Sequence, residues 1–248
     1  MFIAMELFIG PHRHQPFDTD GTIPSNHLHN FEHSFISLAF LVYASFAILL
    51  DKFGPIIQYE LTHLLEGIAF GQQLLLFHFH SADHMGVEGQ YHMLLQILIL
   101  ISFTTTLMGI RYQKSFLLSF IRSISVLFQG LWIIVMGFML WTRRLIPKGC
   151  FLNLEVGHHV VRCHGEEALE RAKSLVNFQF SWYLICVTVF AISLYLAMYK
   201  IYEEKVEYQS VTTYDLEKVH EGVEAQRKLG ESKSFLVMEE SFSPLDIE

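Results

Sequence analysis

The sequence predicts an all-α fold: a polytopic transmembrane helix bundle with about five full spans plus a partial N-terminal helix. Three observations carry this expectation. Of 248 residues, 52% are apolar and only 17% are charged, where a soluble domain is about one quarter charged. The mean hydropathy is +0.34. The apolar residues collect in five runs close to the roughly 17–25 residues that a helix needs to cross a bilayer, and none has strand alternation. The same composition excludes a disordered, collagen-like or coiled-coil chain.

The elements follow in order. Residues 1–10, MFIAMELFIG, are apolar but too short to span, and they lack the charged start and small-residue cleavage site of a signal peptide. They read as the last turns of a helix, hence as the start of an N-terminally shortened chain. Residues 11–26, rich in Pro, His, Asp and Gly, form a loop. The first span is 34–50, and the turn at 51–54 folds it back on the second, 55–78, which carries Glu60, His63 and Glu66. The third is 92–110, the fourth is 116–141 with Arg122 and Gln129 inside, and the fifth is 178–201. Residues 142–177 form the one sizeable loop, with a helical stretch at 165–174 supported by Glu167 and Arg171 at i,i+4.

Residues 203–248 hold 5 Lys/Arg against 12 Asp/Glu, so nearly all of the chain's net charge of −8 lies there. Without amphipathic period, this stretch is expected to be a mostly disordered acidic tail on the cytosolic side. The expected division is a bundle at 1–202 and a tail at 203–248. No basic patch exists for nucleic acid.

Histidine carries the candidate chemistry. His27-Leu-His29-Asn-Phe-Glu32-His33 enters the first span, and His78-Phe-His80-Ser-Ala-Asp83-His84 leaves the second. Both read H-x-H-x-x-acid-H. His33 lies 19 residues before Lys52, about 28 Å along a helix. His78 lies 23 residues after Pro55, about 35 Å. Against a hydrocarbon core of about 30 Å, the two clusters meet at one membrane face. His29 and His33 share a helix face at i,i+4, as do His80 and His84, and Glu88 and His92 extend that row unless Gly86 and Gly89 break the helix. Alternation of spans brings His158, His159, Cys163 and His164 to the same side, so that 12 of 14 histidines share it.

Imidazoles with carboxylates in support are ligands for zinc or another transition metal. The candidate metal set is His29, His33, His80, His84 and His92, with Glu32, Asp83 and Glu88 as ligands or orienters. A haem between His33 and His80 ranks below a bare ion. The plain alternative is that these rings hydrogen-bond to headgroups, water and each other. No residue is assigned a catalytic or other cofactor-binding role.

Other polar residues have structural expectations. Arg122 is a candidate partner for Glu60, His63 or Glu66 across the bundle. Gln72, Gln73, Gln96 and Gln129 are candidates for interhelical hydrogen bonds, and Gly67 and Gly71 form a G-x-x-x-G expected to serve packing within the chain. Cys150 and Cys163 either form a disulfide, the preferred reading, or leave Cys163 with His159 and His164 for metal. Cys186 is read as packing. Short-loop cations at Lys52 and Arg111 favour a cytosolic tail and an exoplasmic histidine face, although Arg143 and Arg144 oppose this.

FHFHSADHMGVEGQYHMLL at 77–95 resembles the transmembrane protein 45 family, especially its plant members. So do MELFIGPHRHQPFD at 5–18, NHLHNFEHS at 26–34 and SFIRSISVLFQGLWIIVMGFMLW at 119–141, and KGCF…VVRCHGEEAL at 148–169 is similar to the plant form. The resemblance spans about residues 1–207 and implies a multi-pass protein of the endomembrane system or plasma membrane, with no known activity and no ligand residues to transfer. Family members begin with an additional helical stretch. Two functions are therefore expected in competition: a His-lined metal site at one membrane face, or a non-enzymatic scaffold or trafficking protein recruiting cytosolic protein partners through its tail. The lipid bilayer is a partner in either.

Overall fold

The computed structural model describes residues 1–9, 15–79, 86–155 and 158–239, with side chains described for all of these except Asn26, His158 and 203–239. A short helix α1 (Phe2–Ala4) passes into a π-helical turn (Met5–Ile9), and both pack on α2 (Leu28–Phe53). At the end of α2, Gly54 adopts φ +57 and its N–H donates to the Leu50 carbonyl at 2.9 Å. That left-handed cap suits glycine, and it turns the chain back into α3 (Gln58–His78). Helix α3 ends at His78, Gly86 precedes α4 (Val87–Arg111), and Gly89 is accommodated inside α4. Helix α5 (Phe116–Trp141) starts at Ser115, whose hydroxyl accepts the Leu118 N–H at 3.4 Å.

The loop after α5 holds an antiparallel hairpin that the sequence reading did not anticipate. Strand β1 (Cys150–Glu155) pairs with β2 (His158–Cys163), with Cys150 opposite Cys163. Those two cysteines form a disulfide, as preferred from the sequence. Arg162 makes a two-pronged contact with Glu155, its Nε donating at 2.8 Å. Helix α6 then runs from Glu166 to Glu239, absorbing the expected helical stretch in the loop, the fifth span and much of the acidic segment in one element. The chain divides into two units, Met1–Val189 and Phe190–Glu248.

The protein is an all-α membrane bundle, 79% helical, and this hairpin is the one sheet among the described residues. Helices α2, α4, α5 and the Glu166–Tyr202 part of α6 are each long and apolar enough to cross a membrane. Helix α3 has 21 residues, about 32 Å, which is a spanning length. Its Glu60, His63, Glu66, Gln72 and Gln73 lower its hydropathy, and it stands outside those four. It packs between α2 and α4, where His63 and Gln73 are buried, so much of its polarity is turned inward.

Helix α4 is the most enclosed, with 44% of its apolar window buried against 11% for α2. Large apolar side chains such as Phe35, Leu41, Phe46 and Ile48 of α2 face outward, as a lipid environment allows. Because lipid is itself apolar, packing and polar contacts must join the helices. Gln72 of α3 reaches the Phe35 carbonyl of α2, and Gln96 of α4 reaches the Phe77 carbonyl of α3. Between α4 and α5, Gln129 donates to Ser102 at 2.6 Å, Ser102 to Ser125 at 2.8 Å, and Ser125 to the Leu98 carbonyl at 2.8 Å. Trp132, fully buried, donates to the Tyr91 carbonyl and packs on Phe128 and Phe180. Tyr91 donates to Gln179 of α6 at 2.7 Å. An added Cβ at Gly67 or Gly71 would meet Leu107 at 2.9 Å or Phe103 at 3.2 Å, so the G-x-x-x-G serves α3–α4 packing within the chain. Cys186 is exposed on α6.

Candidate functional site

The histidine-rich end is where α1, the start of α2, the end of α3 and the start of α4 meet. Helical spacing sets His29 and His33 on one face of α2, their ring centroids 6.3 Å apart. Phe77, near the last turn of α3, lies 6.5 Å from His33 and 5.7 Å from His92 of α4. This phenyl ring therefore stands between the α2 pair and the α4 histidine. His92 is buried, while His29, Glu32 and His33 are half-buried. His78 is exposed and its Nδ1 donates to Gln96 at 3.4 Å.

Two residues that the sequence reading passed over stand here. Glu6, on the π-helical turn, sets one carboxylate oxygen 3.6 Å from His33 Nδ1. Its other oxygen accepts from the Asn30 amide at 2.9 Å. Burial raises the Glu6 carboxyl, but the contacts with His33 and Asn30 and the charges of His33 and His29 outweigh it, holding the group below the usual glutamate range. One signal was legible: Glu6 is the single charged residue in the first ten, and it precedes a histidine-rich segment.

The predicted ligands divide accordingly. His33 lies against both Glu6 and Phe77, His29 stands beside His33, and His92 lies on the other side of Phe77, while Glu32 is half-buried on α2. His80, Asp83 and His84 lie outside the described residues. Glu88 is directed to the hairpin, where it accepts the Val161 N–H and ties β2 to the start of α4. Cys163 is spent in the disulfide, so the alternative of metal binding with His159 and His164 falls away. His159 and His164 are exposed, and His164 packs on Phe151 at 4.6 Å. Among the described residues, no three His, Cys, Asp or Glu side chains are gathered for a metal ion.

Fold and surface define a class: an integral, multi-pass helical membrane protein. Residues 59–196, more than half of the chain, match the model of DUF716, a family of unknown function, and the chain belongs to that family, which is that of the transmembrane protein 45-like proteins. The match runs from α3 into α6 and thus includes His92, Arg122 and the disulfide hairpin, while Glu6, His29 and His33 precede it. No curated protein and no solved structure matches the chain.

Proposed function

We propose that this membrane protein holds a transition-metal ion, zinc before others, at a histidine-rich exoplasmic face. The observation that supports it best is the placement of the Glu6 carboxylate at His33 Nδ1, 3.6 Å away, with Asn30 fixing the carboxylate from behind. A carboxylate beside one imidazole nitrogen is how metal-ligating histidines are commonly oriented, leaving Nε2 as the donor atom. In donor type the set fits zinc: His29, His33 and His92 with Glu32, together with His80, His84 and Asp83 from the segment outside the described residues. Phe77 separates His33 from His92, so His29 and His33 of α2 are the adjacent pair within this set among the described residues.

An exoplasmic placement of this face is supported by the disulfide, because such bonds persist in oxidising compartments. The compartment is then the endomembrane system or plasma membrane, with the acidic segment cytosolic.

The test is elemental analysis of protein purified in mild detergent without an affinity histidine tag or chelating resin. About one zinc, copper or iron per chain is expected, lost in His29→Ala/His33→Ala and in His80→Ala/His84→Ala. A well-folded sample without metal overturns the reading and leaves the scaffold function, tested by deleting residues 203–248.

A further inference from the structure

A second group of ionisable side chains stands at the opposite end of the bundle. Glu60, His63 and Glu66 follow at three-residue steps along α3, which sets them in a row. Gln113, on the exposed α4–α5 connection, donates to Glu60, and the Tyr59 hydroxyl donates to the Gln113 carbonyl at 3.2 Å. Deeper in the bundle, Arg122 of α5 pairs with Glu66 at 3.4 Å.

His63 lies between these levels and is only 6% exposed. Its Nδ1 is 3.0 Å from the Tyr59 carbonyl oxygen. A carbonyl oxygen has no proton to give, so Nδ1 carries the hydrogen and Nε2 holds the lone pair. Nε2 is buried with no hydrogen-bond partner among the described residues. A Cβ added to Gly109 of α4 would lie 2.9 Å from His63 Cδ2, 3.3 Å from Nε2 and 3.5 Å from Arg122 Nη1. Imidazole, guanidinium and the α4 backbone thus converge on Gly109. The contact is too close for a small molecule, and a proton is the ligand that fits a solitary lone pair there. Leaving such an acceptor unpaired is costly, and ionisable groups at membrane depth ordinarily mark a function.

We propose that Nε2 of His63 is a proton-binding site inside the bundle, reached from the Lys52 and Arg111 face by way of Glu60. A hydronium ion gives its proton to the Glu60 carboxylate, leaving water, and that carboxyl O–H then breaks as the proton adds to the Nε2 lone pair, which returns Glu60 to the carboxylate. The Nδ1–H stays on the Tyr59 carbonyl, imidazole becomes imidazolium, and no other bond changes. Glu60 and Arg122 act on the ring with opposite charge. Glu66 faces Arg122, Tyr43 of α2 faces both of them, and α4 presents Gly109. A second cation beside Arg122 weakens the hold of Arg122 at this junction, so proton occupancy is linked to α3–α5 packing. This site is independent of the metal reading, which concerns the other membrane face.

The test is ¹⁵N NMR of imidazole-labelled protein in lipid nanodiscs, with His63 assigned through backbone correlations to Thr62 and Leu64. Between about pH 8 and about pH 4, the Nε2 signal should move from the acceptor to the protonated position while Nδ1 stays protonated. Arg122→Gln should raise the midpoint by about one pH unit or more, and Glu60→Gln should lower it. Should Arg122→Gln unfold by stranding Glu66, Arg122→Gln/Glu66→Gln leaves no stranded charge and should also raise it. An Nε2 that stays unprotonated throughout, or a midpoint indifferent to both Arg122 and Glu60, overturns the proposal.

Discussion

At the scale of single residues, the carboxylate of Glu6 links the first turns of the chain to α2. Folding holds its carboxyl below the usual glutamate range, so the folded state favours the ionised form. Its contribution to stability is complete above the ordinary glutamate value of about 4.3 and is lost as pH falls through the lowered folded value. Glu6→Gln should cost about 1–2 kcal/mol at neutral pH. It should also flatten the acid limb of a plot of thermal midpoint against pH in detergent, and a variant with the acid limb of the native chain sinks this account. Gly109→Ala tests steric closeness, because the new methyl has to displace the His63 ring. A loss of about 1–3 kcal/mol is expected, the range for overpacking, measured by the midpoint of thermal unfolding.

Among the elements, the long apolar helices were the legible part of the sequence. The fourth span was bounded correctly at both ends, because Ser115 and Thr142 flank a run that begins and ends on large apolar residues. Interhelical roles for Gln72, Gln96 and Gln129 were also legible, since a polar amide within an apolar run needs a partner. The hairpin was not, because its six-residue strands are too short for a periodic signal and the cysteines drew attention to ligation or cross-linking instead. Nor does spacing along one helix report a ring from another element. Phe77 interposed between His33 and His92, and Glu6 beside His33, are both tertiary facts. The hairpin depends on its cross-link: closing a loop of about 15 residues is worth about 3 kcal/mol of chain entropy. Reduction, or Cys150→Ser/Cys163→Ser, should therefore accelerate amide exchange in β1 and β2 while leaving α4 and α5 protected. At the α4–α5 contact, Trp132→Ala should cost about 3 kcal/mol, near the low end of the range because lipid supplies little hydrophobic drive. The thermal midpoint reads this, and a neutral result shows that the Phe128–Phe180 stack holds the contact without Trp132.

For the whole molecule, one orientation decides which aqueous compartment meets the histidines and which meets Glu60. The sequence contains no N-x-Ser/Thr acceptor, so an inserted one gives an unambiguous signal. Inserted after Leu145, beside the disulfide hairpin, it should be glycosylated during synthesis into endoplasmic reticulum membranes. Inserted after Asp51, at the α2–α3 turn, it should remain bare, and the opposite pattern reverses the assigned orientation. The cysteines carry a last consequence. Two of the three are locked together, and the remaining thiol, Cys186, emerges from the apolar stretch of α6. The native chain therefore carries a built-in depth gauge: a nitroxide or fluorophore delivered from the oil phase has one address, and quenchers graded along the acyl chains can read its immersion without altering a single codon.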